Sequence, residues 1–79
     1  MTLDEAVEKL AWPTRVVAVS EKDNIEDKTL VVLAKRERCP FPDAPYVTWE
    51  FNPRVGLFSG HYDMTQERGH EDFRRRYEA

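Results

Sequence analysis

The chain has 79 residues, 41% of them hydrophobic and 34% charged, with a net charge of −3. That length supports one domain, residues 1–79, because two halves would each be too short to bury a stable core without disulfides or metals. The single cysteine, Cys39, excludes an intrachain disulfide and points to a reducing, cytoplasmic setting. The acidic sum argues against a general nucleic-acid binder. At this size apolar burial barely exceeds chain entropy, so a partner or a second copy of the chain is expected to matter to folding.

Thr2-Leu3-Asp4-Glu5 reads as a capping box, in which Thr2 and Glu5 each satisfy the other's backbone amide. Leu3, Ala6, Val7 and Leu10 recur every three or four residues and share one helical face, and Pro13 ends the helix by disfavouring helical geometry at Trp12. This acidic, amphipathic segment is not the basic and apolar start of a signal peptide, and no run approaches the roughly 20 apolar residues that cross a bilayer. No membrane partner is therefore expected. Acidity concentrates here: residues 1–27 hold three Lys/Arg against seven Asp/Glu, while residues 28–79 hold nine against eight.

Arg15 to Ser20, with Val16, Val17 and Val19, predicts a strand, and the polar stretch Glu21 to Lys28 predicts a loop. Thr29 to Arg36 is apolar almost without interruption to Ala34, the mark of a central strand buried on much of both faces. Three prolines between Cys39 and Pro45 make a stiff surface loop.

Tyr46 to Asn52 and Gly56 to Asp63 alternate and flank the turn signal Asn52-Pro53-Arg54-Val55-Gly56, which predicts a hairpin. Pairing Asn52 with Leu57 puts Val47, Trp49, Phe51, Phe58, Gly60 and Tyr62 on one side, with Trp49 covering the bare backbone of Gly60. Tyr46, Thr48 and Glu50 then face Asp63, His61 and Ser59 on the other. Asp63 or Thr65 caps a last helix running to about Tyr77, whose Gly69, Phe73 and Tyr77 form a narrow apolar stripe. Gly69 costs that helix about 1 kcal/mol relative to alanine, which a close approach to the sheet explains. The expected fold is α+β, in the order helix, four-stranded antiparallel sheet, helix, with both helices on the face carrying Trp49 and the Thr48/His61 face open.

That open face is the candidate contact surface. Tyr46, Thr48, Glu50, Ser59 and His61, with Leu57, make a mixed aromatic and polar patch of the sort found in interfaces, and they point to a protein partner. The acidic amino-terminal third is the second candidate surface, and a homodimer is compatible with either.

Catalytic signatures are missing. His61 and Asp63 share a strand face beside Thr48 and Glu50, the arrangement that orients a general base. The same residues read more simply as exposed cross-strand polar pairs. Ser59 and Thr48 lack any nucleophile elbow, and Cys39 has no fixed partner. His61, Asp63, His70 and Cys39 lack the spacing of metal ligands, and Gly56, Gly60 and Gly69 form no phosphate-cradling loop. No catalytic residue, metal or cofactor is expected.

Arg74-Arg75-Arg76 closes the last helix, where cations offset the helix dipole. With Lys35, Arg36 and Arg38 these arginines are also candidates for contacts to phosphate, and Tyr46 or Phe41 for a stacking platform, which makes nucleic-acid binding the alternative function. The predicted order of elements resembles the double-stranded RNA-binding domain in topology. The helix that would meet phosphate begins Thr65-Gln66-Glu67, however, and a carboxylate there repels it.

Pro45-Tyr46-Val47-Thr48-Trp49, Gly60-His61-Tyr62-Asp63 and Glu71-Asp72-Phe73 resemble the recurring pattern of small uncharacterised proteins encoded by bacteria and their phages, over residues 45–79. The resemblance implies an origin in a bacterium or mobile element and a regulatory or counter-defence role, and it supplies no catalytic residues.

Overall fold

The computed structural model describes residues 1–22, 28–38 and 41–78. Most of the loop expected between Glu21 and Lys28, together with Cys39 and Pro40 at the start of the proline loop, lies outside these described residues.

Helix α1 spans Leu3–Glu8, capped by Thr2. The Thr2 hydroxyl accepts from the Glu5 amide at 3.2 Å, and the Glu5 carboxylate accepts from the Thr2 amide at 3.3 Å. The helix ends at Lys9, four residues before Pro13, so the proline is not what stops it. Two turns suffice to set Ala6 into the core with Leu3 and Leu10 beside it.

Four strands follow: β1 (Thr14–Glu21), β2 (Leu30–Arg36), β3 (Tyr46–Asn52) and β4 (Gly56–Met64), and then helix α2 (Gln66–Glu78). The strands form one antiparallel sheet in the order β1-β2-β3-β4, so each pairs with its neighbour in sequence. The α+β architecture and the element order are those expected from the pattern of apolar residues.

The placement of the helices is different, and the reading that stacks both on one face is corrected. Val32 pairs with Trp49 and Ala34 with Val47, and these four join Phe51 and Ala6 of α1 in the hydrophobic cluster. Val31 and Leu33 point the other way, as do their β3 partners Glu50 and Thr48. There they meet α2: a Cβ built on Gly69 would lie 2.8 Å from the Tyr46 Cβ and 3.4 Å from Leu33 Cδ1. One helix covers each face, so Val31, Val32, Leu33 and Ala34 are all fully buried. The physical reason is the uninterrupted apolar run of β2, which leaves no side of the strand fit for water.

The β3–β4 hairpin is tighter and more irregular than expected. Asn52 pairs with Gly56 rather than Leu57, across a turn in which Gly56 adopts φ +91 and the Val55 amide donates to the Asn52 carbonyl. One extra residue enters β4 between the Glu50–Phe58 and Thr48–His61 pairs, and another between Thr48–His61 and Tyr46–Met64. Thr48 therefore opposes His61 as anticipated, while Leu57 and not Phe58 joins the Trp49 side. Ser59 and Asp63 take positive φ at these irregularities, 52 and 57. Gly60 is covered by the Tyr62 phenol of its own strand, and the Trp49 indole meets that ring edge-on, donating from Nε1 to the Tyr62 hydroxyl at 3.0 Å.

Candidate functional site

The face predicted to be open holds a dense set of polar contacts among the described residues, and its occupant is α2. Strand alternation aims Thr48 and Glu50 of β3 and His61 of β4 at this face. Helical spacing aims Gly69, Asp72 and Arg76 back at it, three and four residues apart. The Thr65 hydroxyl accepts from the Arg68 amide at 3.3 Å and so caps the helix that carries them.

Asp72 is the hub. Its Oδ2 accepts from the Thr48 hydroxyl at 2.5 Å and from His61 Nδ1 at 2.9 Å. Burial pushes the Asp72 carboxyl up, but the hydrogen bonds from Thr48 and His61 and the charges of His61 and Arg76 together outweigh it and hold the carboxyl below its usual value. A carboxylate accepts only from a protonated Nδ1, so the contact fixes the His61 tautomer. The His61 side chain is nonetheless 55% exposed.

Arg76 lies beside this hub with only 10% of its side chain exposed. Its Nη2 donates to the Ser59 carbonyl, Nε stands 3.4 Å from Asp72 Oδ2, and Nη1 stands 3.9 Å from Glu50 Oε2. The other Glu50 oxygen takes Lys22 Nζ at 2.5 Å. Tyr46 completes the contact, packed on Gly69 and tilted against the His70 ring at 5.7 Å.

All five residues proposed for an external partner are thus brought together by the structure, around the protein's own helix. Thr48 is fully buried, Tyr46 and Glu50 are half-buried, and only Ser59 and His61 remain exposed. The histidine's carboxylate partner is Asp72 of α2 and not Asp63, its expected neighbour on the strand face. The 3–4 spacing of Gly69, Asp72 and Arg76 was the available signal. Asp63 instead lies 3.6 Å from Arg36, whose guanidinium sits 4.9 Å above the Tyr62 ring.

Three of the six basic candidates for phosphate contact hold ion pairs within the chain. Arg36 and Arg76 are engaged as above, and Arg75 pairs with Glu71 one turn earlier at 2.6 Å. Lys35, Arg38 and Arg74 form no ion pair among the described residues.

Chemically, the cluster orients one imidazole and neutralises one buried guanidinium. A shallow dent of about 250 Å³ is lined by Asp72 with Met64, Arg68, Glu71 and Arg75, so carboxylates and guanidiniums share its wall. The hydroxyl in these contacts, that of Thr48, is fully buried and donates to Asp72, so it is not poised as a nucleophile for His61 to activate. Among the described residues no group of three His, Cys, Asp and Glu side chains is placed to hold a metal ion, and Cys39 lies outside them. Among the described residues, no helix is long and apolar enough to cross a membrane. Comparison with protein-family models, curated proteins and solved structures finds no match.

Proposed function

We propose that the chain is a small non-enzymatic protein-interaction module that engages its partner through the amino-terminal third. The observation that carries this reading is a concentration of uncovered apolar side chains: Trp12, Val17 and Val19 are 42%, 42% and 43% exposed within eight residues. Both sheet faces already carry a helix, so these are the apolar groups left at the β1 margin. They follow α1 in the chain, and its Asp4, Glu5 and Glu8 are turned to solvent. Tryptophan is the residue type most enriched at energetic centres of interfaces, and an acidic rim steers a basic partner.

Strand β1 lies at the sheet edge, but its register shifts between Val16 and Ala18, and the exposed Arg15 and Glu21 flank that irregularity. Bulges and charges of this kind discourage strand addition. Contact through side chains, centred on Trp12, is the mode that fits.

The test is capture from the source cell with the wild-type chain and with Trp12→Ser, alongside the oligomeric state measured by light scattering. A stoichiometric partner, or a dimer, that is lost in the variant supports the reading. A wild-type monomer that retains nothing refutes it, as does a Trp12→Ser chain that retains the same proteins as the wild type. Titration of labelled RNA and DNA at about 50 mM salt, where phosphate contacts are strongest, is the control that separates nucleic-acid binding from this function.

A further inference from the structure

Helix α2 covers a sheet face on which Val31 and Leu33 are fully buried, opposite the main apolar cluster. The cluster of buried apolar side chains draws on α1, β2 and β3, and neither it nor the side chains packed around it include any residue of α2. Of the 13 residues in α2, only Gly69 is buried. Asp72, Phe73, Arg76 and Tyr77 are half-buried and the rest are exposed. What ties the helix down is largely polar, through Asp72 to Thr48 and His61 and through Arg76 to Ser59 and Glu50.

One of those ties is imperfect. Arg76 Nε and Nη1 are buried with no hydrogen-bond partner among the described residues, and their nearest carboxylate oxygens stand at 3.4 and 3.9 Å. Enclosing a cation whose N–H groups are unsatisfied opposes docking. Local opening is easiest where few apolar side chains are buried, and α2 itself contributes only Gly69 to the buried set.

We propose that α2 is a detachable clasp, which lifts away as a unit while α1 and the four strands stay folded. Lifting breaks the Asp72 and Arg76 contacts and uncovers Val31, Leu33 and Thr48, all fully buried when the clasp is closed. The opposite face keeps its cover, because Val32, Ala34 and Val47 pack with α1. Once detached, α2 melts, since a helix of 13 residues with an interior glycine is marginal in water.

Native-state amide exchange on the full chain, followed by NMR against denaturant, tests this. Amides of residues 70–77 are expected to open at least about tenfold more often than those of residues 31–34, with a shallower denaturant dependence that merges with theirs at higher concentration. Leu57→Ala weakens the α1-side core, so it is expected to raise opening at residues 31–34 about tenfold and leave residues 70–77 unchanged. Thr48→Val removes a donor to Asp72 and is expected to raise opening at residues 70–77. A common opening equilibrium for helix and sheet in the wild-type chain overturns the proposal, as does a Leu57→Ala effect of equal size on both. The wild-type measurement decides alone, so the proposal stays open to refutation even where a variant fails to fold.

Discussion

Gly69 shows how one absent methyl group sets the distance between layers. It lies in a helix interior, where glycine is inferior to alanine by about 1 kcal/mol, yet a Cβ there would approach the Tyr46 Cβ to 2.8 Å. Overpacking of this kind costs about 1–3 kcal/mol, which exceeds the propensity gain. Gly69→Ala is therefore expected to lower the midpoint of chemical unfolding. A higher midpoint would show that α2 shifts freely over the sheet. Asp72 argues for a pH effect of defined sign. Its carboxyl ionises at lower pH in the folded chain than in the unfolded one, so its contribution is complete above the ordinary carboxylate range and is lost as pH falls through the lowered value. Stability measured between neutral and acid pH should accordingly fall less steeply for Asp72→Asn than for the wild type. Thr48 supplies the shortest of the contacts to that carboxylate. Its replacement by valine keeps the shape, removes one buried donor and is expected to cost about 1–2 kcal/mol in denaturant titrations.

At the level of elements, strands and helices were readable because each has a clear period or cap: the Thr2–Glu5 box, the valines of β1, the alternation in β3 and the Thr65 cap. The side of the sheet taken by α2 was also readable, and the clue was the continuous run Val31-Val32-Leu33-Ala34, which demands cover on both sides. The hairpin's alternation alone implies an open face, which the structure fills with α2. The β4 irregularities were not readable, since an inserted residue leaves no mark in a pattern of period two. Ser59 illustrates the difficulty, for nothing about serine announces a φ of 52. Glycine accepts that conformation without steric cost, so Ser59→Gly is expected to leave thermal stability unchanged or slightly raised. A loss of more than about 1 kcal/mol would mean that the serine side chain anchors the bulge. For the polar cluster, sequence supplied Thr48, Glu50, Ser59 and His61 and placed them together. Asp72 and Arg76 were hidden because they belong to the helix that was assigned to the other face.

For the molecule as a whole, a sheet enclosed between two helices leaves its margins as the places to meet other molecules. Trp12 sits at one such margin, 42% exposed and outside the core cluster. Trp12→Ser is therefore expected to change unfolding free energy by less than about 1 kcal/mol while abolishing partner capture. A large stability loss would instead make Trp12 a structural residue and weaken the interaction reading. The only other tryptophan, Trp49, is 3% exposed and shares a hydrogen bond with Tyr62. The two indoles consequently supply separate optical reporters without any label. A soluble quencher should dim the emission of Trp12 in the native chain and reach Trp49 only after unfolding, so occupancy of the β1 margin and integrity of the interior can be followed in one cuvette.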